Sequence, residues 1–427
     1  MKKIFWNFIF ILNFYLILYF WFTNSNYLIT GKNPGDFLIS LGRLTGLLTE
    51  LFILVQLVLI SRFSFIEKEY GFDKLIKIHK KIGYFLGIFI ISHPLLLTIG
   101  YAKLNNVNYL NQFINFQTSW EEVFGATIGA IIIILIAIVS IKKIRHKIPY
   151  EIWYFSHLPL YIAIAIAFEH QIQTGDMSQG GAMFYWYTIN ILFIGILIIY
   201  RFIRPAYMFL NHKFVVEKVT KENDNVYSIY INGKNMERYN FKSGQYATLI
   251  FMQKNMWFHH PFSFSDSYNG TGLRFSIKSS GDFTSKIEKI NAGTNVWIDG
   301  PLGTFTLEKS VKNKYLFIAG GIGITPILSI LKSTLEDTDS VLMYSNKTSK
   351  EISFKNELEN TNTKIHYFNT SEGDERISIK KIEEICPDYK DRDVYVCGPA
   401  QMTNSILKGL KYKKVSSEQI HFEKFDY

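Results

Sequence analysis

Four histidines lie inside long apolar stretches of this chain. His79 and His93 are 14 residues apart in one stretch, and His157 and His170 are 13 residues apart in another. An imidazole in a lipid-embedded helix is costly and usually functional, and histidine is an axial ligand of haem iron. At about 1.5 Å per residue each pair spans about 20 Å of helix, most of a roughly 30 Å hydrocarbon core. Two such helices side by side would hold two haems at different depths.

Six apolar segments are long enough to cross a membrane and so to position these histidines. They are Trp6–Phe22, Phe37–Ile60, Ile76–Gly100, Val123–Ser140, Ile152–His170 and Phe184–Tyr200. Lysine and arginine concentrate before the first segment, after the sixth, and in the loops joining the second to the third and the fourth to the fifth. The positive-inside rule therefore predicts a multi-pass protein with both termini in the cytoplasm.

This topology pairs the histidines by depth. The third and fifth segments run in the same direction, which puts His79 and His157 near the cytoplasmic side and His93 and His170 near the outer side. For a lone histidine, a neutral ring hydrogen-bonded to a neighbouring helix is the simpler interpretation, whereas four at matching depths favour haem ligation. Thirteen residues leave His170 about 140° from the face of His157 on an ideal helix. The fifth segment must therefore be distorted, with Pro159 a candidate cause.

Two charged residues in the second segment also need partners. Arg43 is expected near the outer face, where a haem propionate, a lipid headgroup or Glu50 of the same segment would neutralise it. His146 lies among basic residues between the fourth and fifth segments, and we interpret it as interfacial.

Composition divides the chain sharply. Its 427 residues carry a formal net charge of +10; apolar stretches dominate up to about residue 206, and charge is spread evenly from about residue 212. Much of the basic excess lies in short loops between apolar segments, so it indicates membrane topology and not nucleic-acid binding. The two cysteines, Cys386 and Cys397, can form neither a disulfide framework nor a zinc pattern. No small-residue cleavage site precedes Asn24, so the first segment is expected to be retained and not removed as a secretory signal.

Residues 213–309 are predicted to form short strands, because alternations such as that of Val226, Ser228 and Tyr230 are typical of half-buried antiparallel strands. The predicted strands are Phe214–Lys218, Val226–Ile231, Gln245–Phe251, Leu273–Lys278 and Val296–Ile298. A further strand ends in His260-Pro261-Phe262-Ser263-Phe264-Ser265, which offers a ring to stack on a flat ligand and hydroxyls to bond its edge. Lys278 then precedes Gly281-Asp282-Phe283-Thr284 and a predicted helix, an arrangement that suits a phosphate.

A different pattern begins near residue 314. The buried-type strand Tyr315–Ala319 leads into Gly320-Gly321-Ile322-Gly323-Ile324-Thr325-Pro326, where the glycines allow close approach of a pyrophosphate and the proline fits a first helical turn. Strands Val341–Tyr344 and Val394–Val396 alternate with helical segments, which predicts a parallel α/β sheet of the nucleotide-binding type. The last strand ends in Cys397-Gly398-Pro399, at the carboxyl edge where ligands bind.

Together these features resemble a bacterial member of the NADPH oxidase and ferric reductase superfamily over essentially the whole chain. The histidine spacings of 14 and 13 match the haem ligands of the family's third and fifth spans, and His260-Pro261-Phe262-Ser263 matches its flavin-binding motif. Gly281-Asp282-Phe283-Thr284 matches the flavin pyrophosphate segment, and Gly300-Pro301-Leu302-Gly303 resembles a family turn. Gly320–Pro326 and Cys397-Gly398-Pro399 match the nicotinamide-nucleotide motifs.

The resemblance implies an all-α six-helix transmembrane bundle (1–208), an antiparallel β-barrel FAD domain (209–309) and an α/β NAD(P)H domain (310–427) in a bacterial plasma membrane. His79, His93, His157 and His170 would ligate two b-type haems. The implied flavin and nucleotide contacts are His260, Pro261, Phe262, Ser263, Ser265, Lys278, Gly281, Phe283, Thr284, Gly320, Gly321, Gly323, Thr325, Pro326, Gly398 and Pro399.

The resemblance also implies residues with a catalytic role: Arg43, Cys397, and a C-terminal aromatic over the flavin, either Tyr427 or, preferred here, Phe425. Leu97 stands where some oxidases of the family carry a further histidine, which weakens the case for superoxide formation.

The implied reaction moves electrons from cytoplasmic NAD(P)H through FAD and two haems to an extracellular acceptor, first among them O2 giving superoxide. A ferric or other metal reductase would use the same path, and an electron-donating subunit for another protein is a further alternative. A membrane transporter or channel with a nucleotide-sensing domain is the alternative of another class. Lys347 or Lys350 would favour NADPH by meeting a 2′-phosphate, although solvated lysines explain both equally well. Neither nucleic acid nor an obligatory protein activator is expected as a partner.

Overall fold

The computed structural model describes residues 2–145, 147–335 and 337–424. It divides into two compact units, Met1–Phe202, here called the helical unit, and Ile203–Tyr427, here called the sheet unit. The helical unit keeps many large apolar side chains at its surface, whereas the sheet unit encloses most of its own. Exposed apolar surface of this extent is expected where lipid, and not water, surrounds the helices.

The helical unit is built from ten helices among its described residues. They are α1 (Lys2–Ile29), α2 (Pro34–Ile60), α3 (Ser64–Tyr70), α4 (Phe72–Asn105), α5 (Tyr109–Ser119), α6 (Glu121–Val139), α7 (Lys142–Arg145), α8 (Tyr150–Ser156), α9 (Pro159–Gln173) and α10 (Gly180–Ile198). Six described stretches are long and apolar enough to cross a membrane: Lys3–Ile29, Pro34–Ile60, Lys74–Asn105, Glu122–Val139, Ile152–Gln173 and Gly180–His212. The six predicted apolar helices are therefore confirmed.

Helix α2 is central to the packing of the helical unit. It packs along α4 and also contacts α1 and α10, while α6 packs against α9. Asn33 and Asp36 form a reciprocal capping box that starts α2. Glycines bring α2 and α4 together, because a Cβ at Gly35 would lie 2.5 Å from the carbonyl oxygen of Gly100. This close approach brings α2 alongside the helix that carries His79 and His93.

The fifth span is broken next to a histidine. Helix α8 ends at Ser156 and α9 begins at Pro159, so His157 and Leu158 form the turn between the two helices. Pro159 takes the first position of α9, where its missing N–H has no intrahelical partner to lose. The distortion expected of this span is present, and it lies at the expected proline.

The first part of the sheet unit is an antiparallel β domain that follows α11 (Arg204–His212). Its strands are β1 (Val215–Lys221), β2 (Val226–Asn232), β3 (Tyr246–Phe251), β4 (His260–Ser263), β5 (Leu273–Lys278) and β6 (Val296–Leu302). They form two three-stranded sheets, β1-β2-β5 and β4-β3-β6. Isolated bridges, Val215 with Asn295 and Phe264 with Phe275, join the sheet edges. The predicted antiparallel domain is confirmed as two linked sheets, and the strands do not pair continuously into a closed barrel.

One apolar core lies between these two sheets. Phe251, Phe264 and Phe275 are fully buried in it, and Phe214 enters from the segment before β1. Buried aromatic rings contribute more apolar area than any other side chains. The core therefore fixes β4 and the segment after β5 relative to each other, and these carry the predicted flavin motifs.

The second part of the sheet unit is a parallel α/β domain. Its strands are β7 (Tyr315–Gly320), β8 (Ser340–Asn346), β9 (Lys364–Asn369), β10 (Asp393–Gly398) and β11 (Ile420–Lys424), in the order β11-β10-β7-β8-β9. Its helices are α12 (Ile324–Leu331), α13 (Lys355–Glu359), α14 (Ile379–Ile385) and α15 (Ala400–Tyr412). The three predicted strands are confirmed. The prediction missed β9 and β11 because they form the two sheet edges, where polar side chains interrupt the apolar pattern.

Candidate functional site

The outer histidines, His93 of α4 and His170 of α9, face each other. Their ring centroids are 6.2 Å apart and the ring planes are inclined by 46°. Metal–imidazole bonds are about 2 Å long, so this separation leaves room for one metal ion between the two rings. The structure thus brings together two residues that are far apart in the sequence and that the topology predicts to lie at one depth.

Backbone carbonyl groups hold three of the four histidine rings through Nδ1. His93 Nδ1 lies 2.7 Å from the carbonyl oxygen of Gly42, and His157 Nδ1 lies 2.9 Å from that of Trp153. His170 Nδ1 bonds the carbonyl oxygen of Ala167. An Nδ1–H that donates to a carbonyl leaves the lone pair of Nε2 available to a metal. These three rings therefore have the tautomer that an axial ligand needs.

The inner pair is less constrained than the outer pair. His79 and His157 are close enough to interact electrostatically. The Nδ1 atom of His79 is buried without a hydrogen-bond partner among the described residues. His157 stands at the helix break, with its ring centroid 4.4 Å from that of Trp153 and its Nε2 3.2 Å from the hydroxyl of Ser140. His79 thus keeps a buried nitrogen without a partner, whereas Nε2 of His157 shares the hydroxyl of Ser140.

These residues fit haem better than a metal site made by protein alone. Within the described part of the chain, no group of three or more His, Cys, Asp or Glu side chains could hold a metal ion. Pairs of histidines suit a metal whose other coordination positions are filled by a porphyrin. Gly87, midway between the two histidines of α4, has no atom within 4 Å of where a Cβ would stand. The helix surface between the two levels is therefore open at this point.

Arg43 has a partner that the sequence analysis did not consider. Its Nη1 donates to Oδ1 of Asp176 at 2.9 Å, and Ser25 donates its hydroxyl to both oxygens of that carboxylate at 2.8 Å. The alternative contact between Arg43 and Glu50 is not the one that the described residues form, since the guanidinium of Arg43 pairs with Asp176. Glu50 instead accepts a hydrogen bond from Gln171 at 3.1 Å. Asp176 follows the fifth span, and only the packing of that span brings it to Arg43.

Aromatic side chains from two predicted flavin motifs gather in the β domain. The ring centroids of His260 and Phe283 are 3.8 Å apart, and Phe262 stacks on Phe283 with centroids 6.4 Å apart and planes inclined by 19°. Phe262 is half-buried, whereas Pro261 is exposed. β4 therefore presents aromatic surface directly beside the segment that was predicted to hold a phosphate.

The two predicted hydroxyl contacts differ in their environment. Ser263 ends β4 opposite Tyr246 and is 6% exposed. Ser265 is fully buried, and its hydroxyl lies 2.7 Å from that of Ser276, which lies 2.6 Å from that of Ser228. The structure does not bring Ser265 to the ligand surface, because its hydroxyl is used in a chain of serines inside the domain.

The predicted phosphate-binding segment is closed on itself. The hydroxyl oxygen of Thr284 accepts hydrogen bonds from the N–H groups of Ser280 at 3.0 Å and Gly281 at 2.9 Å. The helix that follows, Thr284–Lys289, is a short 3₁₀-helix. Thr284 therefore occupies N–H groups that a phosphate would otherwise bind, and an anion would have to compete with its hydroxyl.

A cleft separates the two domains of the sheet unit. Lys278 lies on the β-domain side of this cleft and Gly321 on the α/β side, and Asn223, Asn346 and Glu351 are among the other residues that line it. Lys278 donates from Nζ to Oε2 of Glu351 at 3.2 Å. The predicted flavin-phosphate lysine thus spans the cleft to the domain that carries the nucleotide motif.

The two predicted nucleotide motifs pack directly against each other. β7 ends at Gly320, and Gly321–Gly323 turn into α12. A Cβ at Gly323 would lie 2.3 Å from the carbonyl oxygen of Cys397, and one at Gly398 would lie 3.0 Å from Cα of Gly320. Because β7 has β8 on one side and β10 on the other, these motifs meet where the strand order reverses. That is where open α/β sheets bind their ligands.

Other predicted nucleotide contacts are placed unevenly around this point. Thr325 and Pro326 are buried with the whole of α12, and Thr325 donates its hydroxyl to the carbonyl oxygen of Ile322 at 3.0 Å. Cys397 is fully buried at the end of β10, and Pro399 precedes α15. Lys347 is exposed in the loop after β8. Of these residues, Lys347 and Pro399 have exposed side chains, whereas Thr325, Pro326 and Cys397 are buried.

An acidic residue missed by the sequence analysis reaches the same loop. Oε1 of Glu372 accepts hydrogen bonds from the backbone N–H and the hydroxyl of Ser349, each at 3.0 Å. Glu372 follows β9, so its proximity to the loop after β8 results from the pairing of these strands. A carboxylate and two lysines, Lys347 and Lys350, thus share the neighbourhood in which a coenzyme ribose was expected.

A charged network joins the two domains of the sheet unit. Arg274 of β5 is 4% exposed and donates to both oxygens of Glu357 at 2.8 and 3.0 Å. Nζ of Lys332 lies 2.7 Å from Oδ1 of Asp266 and 3.0 Å from Oε2 of Glu357. Burial alone would raise the pKa of Glu357, but Arg274 and Lys332 outweigh burial and hold that pKa below its usual value. No spacing in the sequence signalled these four residues, because each lies on a different element.

Phe425 and Tyr427, one of which was expected to cover the flavin, lie outside the described residues, as does His146. The last described strand, β11, pairs with β10 from Val394–Ile420 to Gly398–Lys424. The chain therefore reaches the carboxyl edge of the sheet immediately before Phe425.

Three families match consecutive parts of the chain. Residues 45–168 match the family described as "Ferric reductase like transmembrane component", which covers His79, His93 and His157 and ends just before His170. Residues 211–306 match "FAD-binding domain", and residues 317–408 match "Oxidoreductase NAD-binding domain".

Curated relatives are similar over part of the chain. Flavohemoprotein A of Dictyostelium discoideum is 27% identical over 241 residues, covering 50% of this chain and 60% of the relative. The ferredoxin reductase component of 3-ketosteroid-9-alpha-monooxygenase of Mycobacterium tuberculosis is 27% identical over 173 residues, covering 38% of this chain and 48% of the relative. The chain thus spans less than two thirds of the length of these relatives.

Solved structures are similar over about half of the chain. The FAD/NAD binding domain of nitric oxide dioxygenase from Vibrio cholerae has a TM-score of 0.44 and 21% identity, covering 50% of this chain and 98% of that domain. Ferredoxin-NADP+ reductase from Plasmodium falciparum has a TM-score of 0.41 and 20% identity, covering 51% of this chain and 97% of that protein.

Proposed function

We propose that this chain carries electrons from cytoplasmic NAD(P)H to an extracellular acceptor. The basis is its three-domain architecture, which is that of the NADPH oxidase and ferric reductase superfamily. The chain is a transmembrane oxidoreductase with FAD-binding and NAD-binding domains. The proposed path runs through FAD and two b-type haems, and the first candidate acceptor is O2, giving superoxide. The observation that carries the path is the facing pair of His93 and His170, with ring centroids 6.2 Å apart.

When bound, FAD converts the electron pair of a hydride into single electrons, and bis-histidine haem carries one electron at a time. The protein's own part is to hold and orient. Carbonyl groups of Gly42 and Ala167 hold the outer rings with Nε2 available. The break before Pro159 places His157 in the turn between α8 and α9, from which its ring would pair with that of His79. These contacts restrict ring rotation, which favours ligation over alternative rotamers.

In the sheet unit, the half-buried ring of Phe262, stacked on the buried ring of Phe283, would offer its exposed part to a flat ring. Gly323 and Gly398 let the backbones of β7 and β10 meet closely, and a Cβ at Gly321 would have no atom within 4 Å. A dinucleotide would approach the backbone at this open position. Lys278, whose charge is shared with Glu351, would supply positive charge to a pyrophosphate. These residues would bind FAD and NAD(P)H and keep water from the space between them.

The optical spectrum of the purified chain tests the haem part of this proposal. We expect b-type bands in the reduced-minus-oxidised spectrum, and we expect about half the haem to be lost in His93→Ala or His170→Ala. His146→Ala, a histidine that we expect to be interfacial, serves as the control with full haem content. Colourless, iron-free protein would contradict the proposal and return the transporter alternative to first place.

The acceptor is tested separately from the haem content. Reduction of cytochrome c that superoxide dismutase suppresses would support O2 as the acceptor. Reduction of a ferric chelate that superoxide dismutase leaves unchanged would support the second candidate, a ferric or other metal reductase. That candidate is favoured by the family description of residues 45–168 and by Leu97, which stands where some oxidases have a histidine.

Coenzyme choice, topology and partners complete the proposal. Lys347 and Lys350 favour NADPH, so a strong steady-state preference for NADH would remove that assignment. Both termini would lie in the cytoplasm of a bacterial cell, which cysteine labelling from each side would test. No protein activator is expected, so the purified chain with coenzyme and FAD alone should turn over.

A further inference from the structure

Glu50 is a buried carboxyl group that the proposed electron path does not use. Its side chain lies in the second span with 3% of its surface exposed. Oε2 accepts a hydrogen bond from Nε2 of Gln171 at 3.1 Å, and Oε1 of Gln171 accepts one from Trp186 at 3.0 Å. Oε1 of Glu50 is buried without a hydrogen-bond partner among the described residues. Oε1 is therefore the position at which the Glu50 carboxylate would take up a proton, because a buried carboxylate oxygen without a partner is costly inside a membrane.

The position of Glu50 along α2 places it between the two histidine levels. A Cβ at Gly46 would lie 2.6 Å from the ring of His93, so Gly46 marks the outer level. Gln56 donates to the backbone carbonyl oxygen of His79 at 3.1 Å, so Gln56 marks the inner level. At about 1.5 Å per residue, Glu50 lies about 6 Å below the outer mark and about 9 Å above the inner one.

A hydrogen bond connects Glu50 to the helix turn that carries His170 of the outer pair. Gln171, the hydrogen-bond donor to Glu50, is the next residue after His170 in α9. The same amide is held from its other side by Trp186 of α10. Glu50 is therefore coupled to the helix turn that carries an outer histidine, without touching a histidine ring itself.

Few other titratable groups face this part of α2. Those on the helices packed around it are His93 of α4, His170 of α9 and Tyr185 of α10, whose hydroxyl donates to Asn13 of α1. Arg43 and Asp176, nearer the outer end, form their own ion pair. Within the described part of the chain, none of these groups forms a hydrogen bond or ion pair with Glu50. The charge that Glu50 experiences should therefore change chiefly with the redox state of the histidine levels.

We propose that Glu50 takes up one proton when an electron arrives at the outer histidine pair and releases it when the electron leaves. This inference rests on the proposed function, since it requires haem at that pair. The electron remains at the outer level, the proton comes from water, and the only new covalent bond is O–H on the Glu50 carboxylate. One negative and one positive charge enter together, so the buried region keeps its net charge. Coulomb attraction in a weakly screened interior couples the two events.

The test measures the midpoint potential of the outer haem in the full-length, haem-loaded chain at a series of pH values. In the wild type we expect it to fall with rising pH, by up to about 59 mV per pH unit, the tenfold-per-unit limit for one proton per electron. Glu50→Gln keeps the shape and hydrogen bonding but cannot ionise, so its potential should not change with pH. Glu122→Gln, in the first turn of α6, is the matched control and should keep the wild-type slope.

Infrared difference spectra supply a second measurement, which detects the proton directly in the wild type. Reduction of the wild type should produce a carboxylic-acid C=O band that shifts in D2O, and Glu50→Gln should lack it. A wild-type potential independent of pH, a wild type without that band, or a variant with an unchanged slope would each overturn the inference. A wild type without haem absorbance would instead overturn the proposed function, and the optical spectrum shows this before any titration begins.

Discussion

The helical unit and the sheet unit present their functional side chains against opposite backgrounds. In the helical unit polar groups are few, so His93, Arg43 and Glu50 each stand out among apolar neighbours, and each makes a specific contact. In the sheet unit serines, lysines and glycines occur throughout, and two serines of one motif have different environments. Ser263 keeps 6% of its surface exposed at the end of β4, whereas Ser265 is fully buried and its hydroxyl bonds that of another serine.

The physical reason for this contrast is the cost of burial. A polar side chain in a membrane span is retained only where it has a partner or a function, so residue type is informative there. A polar side chain in a water-exposed fold satisfies itself with solvent at little cost. In the sheet unit, therefore, only the contacts that a residue makes in the folded structure distinguish a ligand-binding residue from a structural one.

The largest expected effect tests whether the two units work as separable parts. His170→Ala should lower electron transfer to an external acceptor by at least about 100-fold, because loss of a metal ligand exceeds the effect of losing a supporting contact. Reduction of a soluble dye by NAD(P)H should stay within about twofold of wild type, since distant sites act independently. Both rates are measured on the same preparation, and a parallel fall in dye reduction would contradict the separation.

The second effect concerns the charged network between the two domains of the sheet unit. Arg274→Met should destabilise this unit by about 3 kcal/mol, because it leaves the partly buried Glu357 without its bidentate partner. The measurement is the denaturant midpoint for flavin release from the full chain. Lys355→Met removes the exposed pair with Glu359 and should cost about 0–1 kcal/mol. If the two variants lost equal amounts of stability, the charged network would stabilise the sheet unit no more than an exposed ion pair does.

The third effect concerns the close approach of the two nucleotide motifs. Gly323→Ala would place a Cβ 2.3 Å from the carbonyl oxygen of Cys397, so the turn before α12 must shift. We expect the KM for NAD(P)H to rise about tenfold, which corresponds to about 1.4 kcal/mol of binding, with haem and flavin contents unchanged. Gly272→Ala, where the nearest atom is 3.4 Å away, is the control. An unchanged KM in Gly323→Ala would argue that the nucleotide binds elsewhere.

The smallest effect is a pH dependence confined to the sheet unit. Hydrogen bonds from Arg392 lower the pKa values of Asp339 and Asp388 below their ordinary values. Both carboxyl groups therefore bind fewer protons folded than unfolded, so their stabilisation is complete above about pH 4.5 and is lost as the pH falls through the lowered values. The difference in unfolding free energy between wild type and Arg392→Met should narrow on acidification. Lys390→Met, an exposed neighbour, should show no such change.

Much of the architecture follows from local patterns in the chain. The lengths of the apolar segments predict the spans. Because the third and fifth spans run in the same direction, they also predict the pairing of His79 with His157 and of His93 with His170. The strand–glycine–helix pattern around Gly320 likewise predicts the turn that the structure contains. Hydrophobic period, helix length and glycine position are properties of short windows, so a single sequence suffices to read them.

Other features depend on residues that meet only after packing. Asp176 reaches Arg43, Gln171 reaches Glu50, and Glu372 reaches the loop after β8, each from an element remote in sequence. Whether the hydroxyl of Ser265 faces a ligand or Ser276 is likewise a property of two paired sheets. Partner choice among polar groups is set by distances of a few ångströms across elements, and no local window of sequence contains those distances. Helix length and polarity thus sufficed for the spans, whereas the neighbours of the histidines were decided by how the helices and sheets pack.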